Sequence, residues 1–283
     1  MAEELLHTYA ADGIALEGVI YPAESEAVLV YTHGVSGSVF RQAHVRVARA
    51  LQSHGWTVLA GNNRGNGLAT PLLQQSGPRL LGGSWFERLE DSVMDISAWI
   101  DVAKARGGTA ITLLGHSLGA FKVVLYASGP RGQDLSGVVL ASGVFDLATR
   151  FAQFPERLGE ARRAVDRNDA EELIAYGPSN GPTFGRVSAR TYLDRASQIV
   201  DPWAEPSLFE KITCPVLAFY GRNEPDVGGA KELDRIKARV AGPFTGTIIP
   251  EADHTYTGRE ADVAGVIATW LSSVGSSRRE PVA

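Results

Sequence analysis

The chain has 283 residues, of which 44% are hydrophobic and 21% charged, so it can bury a sizeable core and is not a mostly disordered chain. Its 27 lysine and arginine residues stand against 32 aspartate and glutamate residues, which gives a net charge of −5. This charge argues against nucleic acid or an anionic membrane as the main partner, because both attract concentrated positive charge. The single cysteine, Cys214, excludes an internal disulfide and a multi-thiolate zinc site.

The first residues do not have the pattern of a signal peptide. Residues 1–7 include two glutamates, and no apolar run of about 7–15 residues follows them. The longest apolar runs, such as 27–31 and 216–220, are far shorter than the roughly 20 residues that cross a bilayer. We therefore expect a cytoplasmic protein without a membrane partner. We also expect a flexible tail over residues 275–283, which are rich in serine, arginine and proline.

Short apolar runs alternate with longer helical patterns along most of the chain. Nearly continuous apolar strands are typical of a parallel sheet that is covered by helices on both faces. A turn at residues 11–13 predicts an antiparallel hairpin at the sheet edge, within residues 6–21. The other predicted strands are 28–31, 57–60, 110–114, 137–141, 216–220 and 246–249, and the predicted helices are 41–53, 85–105, 118–127, 230–240 and 261–272.

The helix predicted over residues 85–105 carries its own start signal. Ser84 precedes it, and Glu87 follows three residues later, as in a capping box. Apolar residues then recur at spacings of three and four, which places them on one helical face.

The alternation breaks between residues 146 and 211. This segment holds many charged residues with several glycines and prolines, and its helical patterns fall near 156–165, 170–175 and 189–199. Long segments of this kind inside a compact domain are usually functional. We predict a mainly helical lid over residues 146–211, inserted into a core made of residues 1–145 and 212–274.

Several aromatic residues lie in or beside the predicted lid. They either line a substrate pocket or pack the lid against the core, and the sequence leaves both roles open. These residues are Phe145, Phe151, Phe154, Trp203 and Phe209.

Residues 115–119 read Gly-His-Ser-Leu-Gly, a G-x-S-x-G pattern between a strand-like and a helix-like segment. The pentad alone is weak evidence, but the strand–turn–helix setting makes it far more specific. A sharp turn there raises the Ser117 hydroxyl above the sheet, and the glycines remove side chains that would collide. The pattern predicts Ser117 as a nucleophile, the alternative being a simple helix N-cap.

Five short segments occur in a characteristic order: residues 32–38 (THGVSGS), 62–67 (NNRGNG), 115–119 (GHSLG), 221–224 (GRNE) and 253–254 (DH). In this order they resemble the α/β-hydrolase superfamily over nearly the whole chain. The resemblance implies an α/β-hydrolase fold, with a mainly parallel central sheet, helices on both faces and a mainly helical lid insertion. It leaves the substrate open, because the superfamily hosts many chemistries.

A serine hydroxyl is a poor nucleophile near neutral pH and needs a base within hydrogen-bond reach. Among the six histidines, only His254 follows the last predicted strand, at the carboxyl end where the sites of open α/β sheets gather. The chain order nucleophile, acid, base also fits the superfamily. We predict His254 as the base, whereas His33 and His116 lie in loops that they would orient.

The triad acid has three candidates. The resemblance places it three residues after Gly221, which gives Glu224. Asp226 lies in the same loop, and Asp146 follows the strand predicted at 137–141, where some superfamily members carry the acid. The acid's role is to hold the imidazole tautomer and stabilise its cation.

The resemblance also implies an oxyanion hole made of two backbone N–H groups. One belongs to Leu118, directly after the nucleophile, and the other to Val35, after the His33–Gly34 pair. We expect both apolar side chains to line the pocket as well, which favours acyl groups with some hydrocarbon.

The sequence thus predicts a serine hydrolase of the carboxylesterase type, acting on a small-molecule ester through an acyl-enzyme, with no metal or organic cofactor. Alternatives on the same triad are an amidase or peptidase, a lactonase, a C–C bond hydrolase and an acyltransferase. A non-catalytic ligand-binding homologue is disfavoured, because such proteins commonly lose the nucleophile or the base. A homodimer formed through the insertion is compatible with catalysis.

Overall fold

The computed structural model describes residues 3–176, 185–197, 201–224 and 226–277. The strands are β1 (Glu4–Tyr9), β2 (Ala15–Tyr21), β3 (Ala27–Thr32), β4 (Thr57–Gly61), β5 (Thr70–Leu72), β6 (Leu80–Gly82), β7 (Ala110–His116), β8 (Gly137–Ala141), β9 (Leu173–Ala175), β10 (Arg186–Ser188), β11 (Val216–Gly221) and β12 (Phe244–Ile249). The α-helices are α1 (Gln42–Ser53), α2 (Ser92–Ala105), α3 (Leu118–Ala127), α4 (Leu147–Ala152), α5 (Pro155–Asp166), α6 (Ala189–Ala196), α7 (Ala230–Lys237) and α8 (Glu260–Ser277).

Eight strands form one central sheet in the order β1-β2-β4-β3-β7-β8-β11-β12. The first two pairings, β1 with β2 and β2 with β4, are antiparallel, and the pairings from β4 to β12 are parallel. Strands β4, β8 and β11 are buried at every position, because helices cover both faces. Helices α1 and α8 pack on one face, and α2, α3 and α7 pack on the other. The predicted mainly parallel sheet with its edge hairpin is confirmed.

The start of α2 differs from the prediction. The helix begins at Ser92, not near residue 85. The Ser84 hydroxyl caps nothing and has no hydrogen-bond partner among the described residues. The Glu87 carboxylate binds Lys122 and Arg195, two residues distant in sequence. The Leu89 N–H also donates to the Asp194 carboxylate. These tertiary contacts outweigh the local capping signal.

In its described residues, the segment between β8 and β11 adds no strand to the central sheet. It holds α4, α5, α6 and the antiparallel pair β9–β10, with a 3₁₀ helix over Leu208–Lys211. The helix predicted over 170–175 is wrong, because Leu173–Ala175 pairs as a strand with Arg186–Ser188. The helix predicted over 189–199 ends at Ala196, and its last two predicted residues lie outside the described ranges.

Four of the five aromatic residues in or beside this insertion pack into or against the core, whereas Phe154 is partly buried and lies outside it. Phe145 and Phe209 are 1% and 0% exposed, with ring centroids 5.2 Å apart. The Trp203 ring lies 4.6 Å from Phe209, and Phe151 is also buried. These rings therefore pack the insertion against the core, the role that the sequence left open beside lining a substrate pocket.

Helix α8 extends beyond its predicted end. It continues to Ser277, three residues into the stretch predicted as a flexible tail, and residues 278–283 lie outside the described ranges. Among the helices of the described ranges, none combines the length and apolar character needed to cross a bilayer.

Candidate active site

The residues singled out by the sequence gather at one edge of the sheet. Ser117 follows β7, Glu224 follows β11 and His254 follows β12, all at the carboxyl ends of parallel strands. His33 and Gly34 follow β3 at the same edge. Parallel strands bring their carboxyl ends together, so residues far apart in sequence meet in space.

Ser117 occupies a strained turn between β7 and α3. Its φ is 58° and its ψ is −123°, in a region that non-glycine residues rarely adopt. The flanking glycines make the turn possible. A Cβ on Gly115 would lie 2.3 Å from the Gly119 carbonyl oxygen, and one on Gly119 would lie 2.7 Å from the Thr32 oxygen. The Ser117 N–H donates to the Ala141 carbonyl oxygen at 2.8 Å, which anchors the turn to β8.

A hydrogen-bonded line joins Ser117, His254 and Glu224. His254 Nε2 lies 2.9 Å from Ser117 Oγ, and His254 Nδ1 lies 2.7 Å from Glu224 Oε2. A carboxylate only accepts, so Nδ1 carries the proton and Nε2 is free to accept from the serine hydroxyl. The His254 side chain is 34% exposed, whereas that of Glu224 is 1% exposed. This arrangement can deprotonate the serine at the moment of attack.

The two alternative acids do not reach His254. Asp146 is partly exposed, and its carboxylate accepts from Arg150 Nε at 2.7 Å. Asp226 is exposed, and its backbone oxygen accepts from the same arginine. Of the three candidate acids, the structure brings only Glu224 to the histidine.

Ser142, a residue without a sequence signal, helps to hold Glu224 in place and is itself held by Tyr256. The Ser142 hydroxyl donates to Glu224 Oε1 at 2.5 Å, and the Gly221 N–H donates to the same oxygen. Tyr256 Oη lies 2.6 Å from Ser142 Oγ and donates to it, because the serine proton is already committed to the carboxylate. Ser142 and Tyr256 both have positive φ, 48° and 60°. Their separation from Glu224 in sequence hides this cluster, and no local motif marks it.

The loop after β3 lies against the serine turn. A Cβ on Gly34 would sit 2.8 Å from Ser117 Cβ and 3.2 Å from the Leu118 nitrogen. Leu118 opens α3, so its N–H has no acceptor within the helix. The Leu118 side chain is 3% exposed and packs in the core, whereas Val35 is 37% exposed.

His33 is a neutral ring that orients this loop. Burial and the nearby Lys122 charge hold the His33 pKa well below its usual value. Its Nε2 accepts from the Asn63 N–H at 3.2 Å, so Nδ1 carries the proton and donates to the Gly34 carbonyl oxygen at 2.8 Å.

His116 plays a similar part for the loop of His254. Its Nε2 donates to the His254 carbonyl oxygen at 2.7 Å, and burial holds its pKa well below the usual value. Its ring lies 5.4 Å from that of His44, whose pKa is also lowered by burial and whose Nδ1 donates to the Ser38 carbonyl oxygen. Buried histidines therefore brace both loops beside the serine.

The chain is similar to one known family and to several solved structures. A model of the family described as serine aminopeptidase, S33, matches residues 23–171. Est1E from Butyrivibrio proteoclasticus, a structure also solved with ferulic acid bound, is 18% identical, covers 96% of this chain and 99% of its own, and superposes with a TM-score of 0.65. No protein of curated function matches at the sequence level.

Two further structures are similar to this chain. The α/β-hydrolase GrgF from Penicillium sp. sh18 is 14% identical, covers 97% of this chain and 98% of its own, and has a TM-score of 0.72. The esterase PF2001 from Pyrococcus furiosus is 15% identical, covers 96% of this chain and 91% of its own, and has a TM-score of 0.61. At these identities the likeness concerns the fold, and the predicted α/β-hydrolase fold is confirmed.

The buried histidines make stability depend on pH. A histidine whose folded pKa lies below 6.5 leaves stability unaffected above that pH. Below that pH, the histidine is protonated in the unfolded chain but stays neutral in the folded protein. Each such group therefore lowers the free energy of unfolding by up to about 1.4 kcal/mol per pH unit. We predict that the free energy of unfolding falls from pH 7.5 to 5.5, and less steeply in His44→Gln.

Urea unfolding at a series of pH values measures this slope. Ser38→Ala alters the same loop without removing a titrating group and should keep the wild-type slope. An unchanged slope in His44→Gln would contradict a lowered pKa for that ring.

Proposed function

The chain belongs to the S33 serine aminopeptidase family of α/β-hydrolases, and on that premise we propose that it is a serine hydrolase that cleaves carboxylic esters through an acyl-enzyme. The observation that carries the proposal is the line from Glu224 through His254 to Ser117, with contacts of 2.7 and 2.9 Å. A serine held in this way has both a base and a group that orients the base.

In the first half of the reaction, Ser117 Oγ attacks the acyl carbon while its proton passes to His254 Nε2. The Glu224 carboxylate stabilises the resulting imidazolium through Nδ1–H. The developing oxyanion accepts from the N–H groups of Leu118 and Val35, which lie on the two backbone segments that meet beside the serine. The tetrahedral intermediate then expels the alcohol oxygen, and His254 returns the proton to it.

In the second half, a water molecule replaces the alcohol. His254 Nε2 takes a proton from this water as its oxygen attacks the acyl carbon. Collapse of the second intermediate breaks the bond to Ser117 Oγ, and the proton on His254 returns to the serine. The carboxylic acid leaves, and the enzyme is restored with atoms and charges balanced.

Two observations bear on the substrate. The loop after β3 presents Val35 and Phe40 to solvent, 37% and 44% exposed, which suits a hydrocarbon group. An aminopeptidase must also neutralise the free amino group of its substrate. Two carboxylates beside the histidine in contact or in sequence are already engaged: Glu224 accepts from three donors, and Asp253 accepts from Thr255 and Thr257.

The peptidase alternative rests on the family, which is named for a serine aminopeptidase. A panel of substrates distinguishes a peptidase from an esterase. We expect kcat/KM for a p-nitrophenyl ester to exceed that for the matching p-nitroanilide by about 100-fold or more, because an amine needs much more help from the general acid to leave. The panel includes leucine p-nitroanilide and a β-diketone. Faster cleavage of the leucine anilide would overturn the ester assignment and favour the aminopeptidase.

The identity of the triad acid is tested by two substitutions in one loop. Glu224→Gln should lower kcat by about 1,000-fold or more, because the amide no longer fixes the Nδ1–H tautomer or stabilises the imidazolium. Asp226→Asn is the matched control, since its exposed side chain lies away from His254, and kcat should stay within about twofold of wild type. A large loss in Asp226→Asn with little loss in Glu224→Gln would reverse the assignment.

A further inference from the structure

Helix α3 carries a lysine in the protein interior that the reaction above does not use. The Lys122 side chain is 0% exposed, between the buried Phe121 and Val123 on a helix that is otherwise apolar. Withdrawing an ammonium from water is strongly unfavourable unless it is paired and hydrogen-bonded. The partners of Lys122 therefore indicate what this charge does.

Lys122 lies at the centre of a buried polar chain. Its Nζ donates to Glu87 Oε2 at 2.6 Å and to Asn63 Oδ1 at 2.9 Å. The other oxygen of Glu87 accepts from Arg195 Nη2 at 3.3 Å, on helix α6 of the insertion. The Arg195 side chain is 2% exposed, and the same nitrogen donates to the Ser84 carbonyl oxygen at 2.9 Å.

Asn63 connects this chain to the loop after β3. Lysine only donates, so Asn63 Oδ1 must face Lys122 and Nδ2 must face the other way. Nδ2 donates to Thr32 Oγ1 at 3.0 Å and to the His33 carbonyl oxygen at 3.2 Å. The Asn63 backbone N–H donates to His33 Nε2 at 3.2 Å. Lys122 and the Gly65 N–H, which donates to the same Oδ1 at 3.0 Å, thus orient a side-chain amide that holds the backbone of His33, while the backbone N–H of the same Asn63 holds the His33 ring.

His33 in turn fixes one peptide plane. Its Nδ1–H donates to the Gly34 carbonyl oxygen at 2.8 Å, and the Gly37 N–H donates to the same oxygen at 3.1 Å. The peptide unit between Gly34 and Val35 is planar and trans, so holding its C=O also sets the direction of the Val35 N–H. That N–H is the second donor of the oxyanion hole in the proposed function.

We propose that Arg195, Glu87, Lys122, Asn63 and His33 form a buried relay that orients the Val35 N–H when helix α6 is seated on the core. Lys122 and Arg195 are then positioning residues for ester hydrolysis, and the inference rests on that proposed function. When Arg195 withdraws, Glu87 loses a donor and draws Lys122 more strongly to itself. The Lys122–Asn63 bond weakens, and His33 and the peptide that it holds gain freedom.

The charges of the relay allow either cation to be removed without leaving an unpaired charge in the interior. Two cations share one carboxylate, so removing either cation leaves a balanced pair in the interior. Lys122→Met keeps the Glu87–Arg195 pair, and Arg195→Gln keeps the Glu87–Lys122 pair. Substitution of Glu87 would strand two buried cations and is avoided.

Steady-state hydrolysis of a p-nitrophenyl ester and inhibition by a trifluoromethyl ketone test the relay. We expect Lys122→Met to lower kcat by about tenfold, less than the loss of an oxyanion donor outright, with KM nearly unchanged. Affinity for the ketone should fall in parallel, because its tetrahedral adduct uses the same N–H groups. A purely structural role would not separate kcat from KM in this way.

A double variant tests whether Arg195 acts through Lys122. Arg195→Gln should lower kcat by about threefold in the wild-type background and have no further effect in the Lys122→Met background. The matched control is Arg190→Gln on the same helix, which removes an exposed ion pair with Glu171 and should leave kcat unchanged. Thermal unfolding of each variant monitors stability separately.

The possible failures are distinguishable. Wild-type kinetics in Lys122→Met, with ester turnover intact in the parent, would overturn the relay and leave the proposed function standing. Equal losses from Arg195→Gln in both backgrounds would overturn the link to the insertion. A folded wild-type protein that cleaves no ester would contradict the proposed function, and the relay would fall with it.

Discussion

The close approach of two backbone segments beside Ser117 is the constraint on which the site depends. Gly34 and Gly119 bring the loop after β3 against the turn after β7 at distances that a Cβ would not permit. Ser117 is held there at a φ of 58°, with its N–H fixed to Ala141. The conformational cost of that backbone is offset by the packing around it, and the strained turn is what presents the hydroxyl to His254.

Burial divides the four histidines around the site into two kinds. His33, His44 and His116 lie in the interior, where desolvation lowers the pKa and leaves each ring a neutral group with one fixed donor. Each donates to a backbone carbonyl and so holds a loop. His254 is one-third exposed and directs its accepting nitrogen at the serine. The same side chain is a structural brace in three places and a candidate base in one.

The sequence predicts the sheet well, because buried parallel strands are nearly continuous apolar runs. It also indicates Ser117 and His254, since a strand–turn–helix setting and the position after the last strand are local signals. The start of α2 could not be predicted, because the Ser84–Glu87 capping signal is local, whereas the contacts of Glu87 with Lys122 and Arg195 are tertiary. The short hairpin of β5 and β6, three residues each, gives too little periodicity to recognise.

The residues that support the candidate site had weaker signals or none. Ser142, 82 residues from Glu224 in sequence, binds its carboxylate, and Tyr256, 32 residues from Glu224, binds the Ser142 hydroxyl; neither belongs to a motif. Lys122 alone had a usable signal, because a lysine in the middle of an apolar helix needs a buried partner. The partner itself could be found only once the chain was folded.

Labelling with a fluorophosphonate tests the central claim, an activated serine at position 117, most directly. The account predicts that intact-protein mass spectrometry finds one adduct on the wild-type protein and that peptide mapping places it on Ser117. It predicts no adduct on Ser117→Ala and greatly slowed labelling of His254→Ala, both folded as judged by thermal unfolding. A folded wild-type protein that does not react, or an adduct that persists in Ser117→Ala, would contradict the account.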